Sequence, residues 1–236
     1  GANGEWEPFT RVDVADAMST QPVHFSDDGK ELYWLDSRGR DKAAVVAQDM
    51  AGGTTRLMAE DGKADVVELA LAPLSCRPVA AASVFARKRW QVIDPAYADD
   101  YARLAHASTG DLAAVDFSDD TRNWVVYYEQ DAAPGQFFHY DRTTKKAQFL
   151  FTRRPALENV PLVPMEPAVL RARAGLELVC YLSRPPAAES DKPVPLVLFV
   201  HGGPWVRDTW GFYPTHQWLA NRGYAVLSVN YRGSTG

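Results

Sequence analysis

The residues whose types and spacing could do chemistry stand together near the end of the 236-residue chain, in Leu196-Val-Leu-Phe-Val-His-Gly-Gly-Pro-Trp205. Leu196 to Val200 is an uninterrupted apolar run, which predicts a fully buried strand of a parallel sheet. It stops at His201 and turns on Gly202, Gly203 and Pro204. Two adjacent glycines after such a strand let the backbone fold sharply and bring its N–H groups close to a ligand. N–H donors of that kind can hold the oxyanion that develops when a carbonyl is attacked. They are backbone groups, so access decides their use and side-chain acidity does not. Taken alone, His-Gly-Gly fits a plain strand-ending turn equally well.

The elements that would position this loop are legible on both sides of it. Tyr213 to Arg222 reads as a helix, with Pro214 in its first turn, Trp218 and Leu219 as an apolar stripe, and Gly223 as a left-handed stop. Tyr224 to Val229 reads as a second buried strand and closes on Asn230-Tyr-Arg-Gly-Ser-Thr-Gly236. Strand, glycine loop, helix and strand make one βαβ unit, with a right-handed crossover expected. Ligands on such sheets sit at the carboxyl ends of the strands, where His201-Gly-Gly and Tyr231-Arg-Gly would both lie. Upstream, residues 169–173 and 176–182 turn at Ala174-Gly175 and predict an antiparallel hairpin.

Three segments in this order, Phe199-Val-His-Gly-Gly-Pro-Trp205, Gln217-Trp-Leu-Ala-Asn-Arg-Gly-Tyr-Ala-Val226 and Val229-Asn-Tyr-Arg-Gly-Ser-Thr-Gly236, resemble the prolyl oligopeptidase family of serine peptidases, in its acylaminoacyl-peptidase-like branch. The resemblance implies a β-propeller paired with an α/β-hydrolase domain. It assigns the oxyanion-hole N–H groups to Gly203 first and Gly202 second. By the same resemblance His201 holds the loop through hydrogen bonds, because the family's general base comes later in the chain. Asn230 and Arg232 brace the neighbouring loop. Trp205 and Trp210 either line the substrate cleft or simply pack. In this fold the nucleophile sits in a Gly-x-Ser-x-Gly elbow followed by Asp and then His. The chain has no such elbow: Gly233-Ser-Thr-Gly236 comes nearest, with Arg232 where the first glycine belongs. Ser228, inside an apolar strand, reads as packing. The catalytic triad is therefore expected outside these residues.

Residues 1–160 read as all-β, with short β-rich runs at 32–35, 43–47, 66–72, 78–85, 90–93, 124–128, 136–140 and 147–151. An internal repeat points to a propeller. Phe25-Ser-Asp-Asp recurs 92 residues later as Phe117-Ser-Asp-Asp, twice a blade length of about 46, and residues 71–80 fit the halfway slot in degraded form. The acidic pairs Asp27-Asp28 and Asp119-Asp120 read as blade turns, since no further ligands stand at calcium-loop spacing. The fold expected is thus about three blades of a propeller over residues 1–160, followed by the N-terminal part of an α/β-hydrolase domain over 161–236. Residues 152–167 are the expected linker, and 184–195 a surface loop. Three blades cannot close a ring, so an interior piece of a longer polypeptide is expected.

Composition limits the alternatives. Apolar residues make up 46% of the chain and the formal net charge is -5, which argues against a nucleic-acid partner. No apolar run reaches the roughly 18 residues of a membrane span, and the first residues lack the basic start and apolar core of a signal peptide. A cytoplasmic place is expected, or a periplasmic or secreted one if a signal peptide has been removed. Cys76 and Cys180, both placed on apparent strands, are expected as buried free thiols; two cysteines are too few for a cysteine metal site. His24, His106, His139 and His216 are scattered without ligand spacing and receive no chemistry. No cofactor or metal is expected. The expected partner is a peptide substrate, with a homo-oligomer of the full-length protein left open. An esterase and a non-catalytic propeller binding module remain as alternatives to the serine peptidase, and the 236 residues alone are expected to be inactive.

Overall fold

The computed structural model describes residues 4–186, 193–203 and 205–236, so the middle of the expected surface loop and Pro204 lie outside the described residues. The described residues form four β-sheets and two α-helices. The first sheet is an antiparallel meander of β1 (Gln21–Phe25), β2 (Glu31–Asp36), β3 (Ala44–Asp49) and β4 (Thr55–Ala59). The second has three strands, β5 (Val66–Leu71), β6 (Pro78–Val84) and β7 (Lys88–Val92). A 3-10 turn at Pro95–Tyr97 and helix α1 (Ala98–Leu104) follow. The third sheet is again a four-stranded meander: β8 (Asp111–Phe117), β9 (Asn123–Glu129), β10 (Gln136–Asp141) and β11 (Lys146–Thr152).

The repeat noticed in the sequence has one structural meaning. Both copies form the corner between the first two strands of a four-stranded meander. In the first, Ser26 N–H donates to Glu31 O (2.9 Å), Glu31 N–H to Ser26 Oγ (2.9 Å) and Lys30 N–H to Asp28 Oδ1 (3.1 Å). In the second, Ser118 N–H donates to Asn123 O (2.8 Å), Asn123 N–H to Ser118 Oγ (3.0 Å) and Arg122 N–H to Asp120 Oδ1 (3.0 Å). Between β5 and β6 only the backbone closure survives, Ala72 N–H to Arg77 O at 2.8 Å. Leu74 and Cys76 there take positive φ angles of 61° and 49°. Cys76 thus lies in a turn and is half-buried, which corrects its expected place in a strand; Cys180 in the fourth sheet is buried as expected, and both thiols are free.

Consecutive sheets pack face to face. Leu35, Val45 and Ala59 of the first meet Val66 and Ala81 of the second. Val79 and Ala80 join Tyr97, Tyr101 and Leu104 under Trp124, Val126, Tyr128 and Tyr140 of the third. The α1 segment, which the sequence reading missed, follows β7 and contributes Tyr101 and Leu104 to the core between the second and third sheets. Its Asp100 is fully buried and accepts hydrogen bonds from Tyr140 Oη (2.8 Å) and Arg142 Nε (2.9 Å), with Lys145 as a third partner.

The fourth sheet has the order β12-β13-β15-β14, from β12 (Met165–Arg171), β13 (Glu177–Ser183), β14 (Leu196–Phe199) and β15 (Ala225–Val229). β12 and β13 are the expected hairpin; β14 and β15 run parallel and are joined through α2 (Pro214–Ala220). Gly223 ends the helix turn with φ of 87°. Two expectations fail here. Among the described residues β14 is the edge strand and is not buried on both faces: Leu196, Leu198 and Val200 are 57, 60 and 53% exposed, since β15 alone of the described strands flanks it. The buried side of α2 is His216 and Ala220, whereas Trp218 turns outward.

Candidate active site

Because β14 and β15 are parallel, the loops that leave them, 201–203 and 230–236, emerge at the same end of the sheet. Gly202 and Gly203 are exposed. Neither backbone N–H donates a hydrogen bond to another described residue. Gly203 has φ of 130°, and a Cβ there would come within 2.9 Å of the Trp205 nitrogen and 3.1 Å of Val206 Cγ2. Gly202 has open space around the same position.

His201 is tied at both ring nitrogens, Nδ1 to Gly202 O (2.9 Å) and Nε2 to Ser234 Oγ (2.9 Å). A carbonyl can only accept, so Nδ1 carries the proton and, in the neutral ring, Nε2 accepts from the serine hydroxyl. The ring stacks on Tyr231 at 4.6 Å between centroids, and Tyr231 Oη donates to His201 O (3.1 Å). The histidine therefore links the two loops. Asn230 adds a second link: its Oδ1 accepts from Asp208 N–H (2.8 Å) and its Nδ2 donates to Asp208 O (3.1 Å). Arg232 is exposed, and its guanidinium bonds no other described residue; the bracing rests with Asn230 and His201. Burial raises the Asp208 carboxyl above the usual carboxylate range, opposed by a hydrogen bond from Ser228 and by the charge of Arg207.

The two tryptophans part company. Trp205 is 63% exposed and lines a cleft of about 610 Å³ with Val14 and Met18 of the N-terminal segment, Asp65, and residues 233–236. Trp210 is buried: its Nε1 donates to Met165 O (2.7 Å) and the Arg87 guanidinium lies 3.4 Å from its ring centroid. It packs with Met165, Val179 and Tyr181 against Phe85 and Ala86, joining the fourth sheet to the second.

Sequence reasoning missed a buried polar group behind the loop. His216 is fully buried between Ser183 Oγ (3.1 Å from Nδ1) and Ser228 Oγ (2.8 Å from Nε2). Ser228 is thus packed, as read, but also bonded. A serine inside an apolar strand and a histidine four residues from the buried Ala220 were the available signals.

A family model described as BD-FAE matches residues 183–236. A dipeptidyl aminopeptidase BIII of Pseudoxanthomonas mexicana is 44% identical over 242 residues, an alignment spanning 100% of this chain and 35% of that protein. Over its whole length the chain is thus similar to a peptidase of the prolyl oligopeptidase family. A second relative, dipeptidyl peptidase family member 6 of Caenorhabditis elegans, is 29% identical over 98% of this chain and 34% of its own length. The crystal structure of Porphyromonas gingivalis dipeptidyl peptidase 4 superposes with a TM-score of 0.67 at 18% identity, covering 93% of this chain and 31% of that one, so the family fold extends across nearly all of these residues. The chain spans about a third of the length of these curated relatives.

Proposed function

We propose that a polypeptide carrying this chain is a serine peptidase acting on short peptides, of the aminoacyl, acylaminoacyl or dipeptidyl type, through an acyl-enzyme. Residues 1–160 are the propeller part and 161–236 the N-terminal part of the hydrolase domain. The Ser-Asp corners at 26–28 and 118–120, at the same place in two four-stranded meanders, support the propeller. One observation carries the function: two exposed glycine amides with no partner among the described residues, at the carboxyl rim of parallel strands, on a loop held from behind by His201. Such amides are built to receive the oxyanion of a tetrahedral intermediate. Gly203 is the first donor and Gly202 the second. The nucleophilic serine, its histidine base and the orienting aspartate come from sequence outside these 236 residues. Trp205 lines the cleft in which the peptide lies.

The test uses the natural polypeptide that carries this sequence and, beside it, the 236-residue chain. A fluorophosphonate probe should label the former, which should hydrolyse a chromogenic dipeptidyl or aminoacyl substrate; the latter should do neither. Gly203→Ala, whose Cβ would press on backbone, should lower kcat by about 10²–10³, the loss expected for one oxyanion donor. Gly202→Ala meets no atom within 4 Å and should lose less. Full activity in Gly203→Ala, or labelling of the 236-residue chain, would overturn the assignment.

A further inference from the structure

We infer that Arg207 is a positioning residue for the oxyanion loop, fastening the segment after Gly203 to the β6–β7 corner so that the seating of the second sheet sets the direction of the loop's amides. The inference rests on the reading of Gly202 and Gly203 as oxyanion donors. Arg207 stands four residues after Gly203. Its Nη1 donates to Val84 O (2.5 Å) and its Nη2 to Phe85 O (2.6 Å), two carbonyls at the end of β6. Only a guanidinium fork serves two such acceptors in fixed directions; an ammonium is a single rotatable point.

The residues around Arg207 transmit that anchor in both directions. Val206 lies against Gly203, with its Cγ2 only 3.1 Å from where a Cβ would stand. Val206 O accepts from Thr235 N–H (3.2 Å), and Asp208 is pinned on both sides of its backbone by the Asn230 amide. Gly236 approaches so closely that a Cβ there would be 2.1 Å from Arg207 Nη1. Residues 206–208 are thus clamped between the second sheet and the 230–236 loop, with the glycine turn as their immediate neighbour. Other contacts also dock the two parts: Met165 N–H donates to Asp131 Oδ2 (2.8 Å), and Trp210 packs under Arg87.

The experiment separates positioning from docking in the natural polypeptide. Arg207→Met should lower kcat by roughly 10- to 100-fold with KM changed less than about twofold, since a displacement of about 1 Å at a reacting centre has that effect. Affinity for a peptide boronate, which forms a tetrahedral adduct in the oxyanion hole, should weaken by the same factor. Arg207→Lys, which keeps the charge without the fork, should recover only part of the loss and serves if the Met variant fails to fold. Asp131→Ala, which removes the acceptor of the Met165 N–H bond (2.8 Å) at the junction with the third sheet, should leave kcat within about twofold. An Arg207 variant that loses thermal stability but keeps kcat and boronate affinity overturns the inference, as does Asp131→Ala matching Arg207→Met in kcat. If instead Gly203→Ala is fully active, the oxyanion reading itself falls and this inference with it.

Discussion

His216 shows how a single side chain stores a pH dependence. Burial disfavours the imidazolium and pushes its pKa down to about 4. The neutral ring donates from one nitrogen and accepts at the other, and the hydroxyls of Ser183 and Ser228 rotate to suit. Unfolded, the same histidine titrates near 6.5, so between those values the unfolded chain binds more protons than the folded one. Stability should fall as pH is lowered through that window, by on the order of 3 kcal/mol once both forms are protonated below about pH 4. Denaturant titrations of the natural polypeptide and His216→Asn at pH 7 and pH 4.5 should show the wild type losing more over this interval. Parallel losses would refute the account. The sequence displayed a lone histidine and a lone serine but not that they meet, because helix and strand phase decides which side chains share a space. At the loop, by contrast, the glycines were legible directly: their value lies in the backbone, and the backbone is what a glycine declares.

Strands with strong apolar runs, such as β2, β6 and β9, were readable because they carry the buried faces of their sheets. The three strands that were missed, β1, β4 and β8, are the first or last of their sheets, and β1 and β4 are largely exposed, so their composition is mixed. The corner motif carried more information than the strands it joins. Gly29 and Thr121 occupy equivalent positions in the two copies, with φ of 69° and 58°. Gly29 has no atom within 4 Å of a would-be Cβ, so Gly29→Ala isolates the backbone cost of the left-handed conformation, about 1 kcal/mol. Thr121 already bears that cost and offsets part of it, since its Oγ1 accepts from Arg142 Nη1 at 3.1 Å. Thr121→Gly should accordingly be near neutral. Equal effects of the two substitutions in denaturant titrations would show that the corners are not equivalent.

At the scale of the whole chain, the junction between the second and third sheets and the fourth joins residues 34 to 123 positions apart, and nothing in local sequence announces such pairings. Met165 N–H donates to Asp131 Oδ2 (2.8 Å), Gln217 Nε2 to Asp131 O (3.1 Å), and Arg87 both faces Trp210 and pairs with Asp111 at 2.7 Å. Trp210 is the central apolar piece, which is why a residue that the sequence offered equally to the cleft or to packing belongs to packing. Trp210→Ala should remove about 3–5 kcal/mol, the range for truncating a large buried aromatic, and Trp210→Phe about 1–3 kcal/mol, because it leaves the Met165 carbonyl without its donor. The larger loss falls where the two parts meet and not inside either core. Thermal unfolding of the natural polypeptide should therefore change from one cooperative transition to two in Trp210→Ala, while Trp210→Phe keeps one transition at lower Tm. If Trp210→Ala unfolds in a single transition at the wild-type temperature, the junction is held by its polar bonds alone, and the alignment of the glycine loop with the second sheet does not depend on this tryptophan.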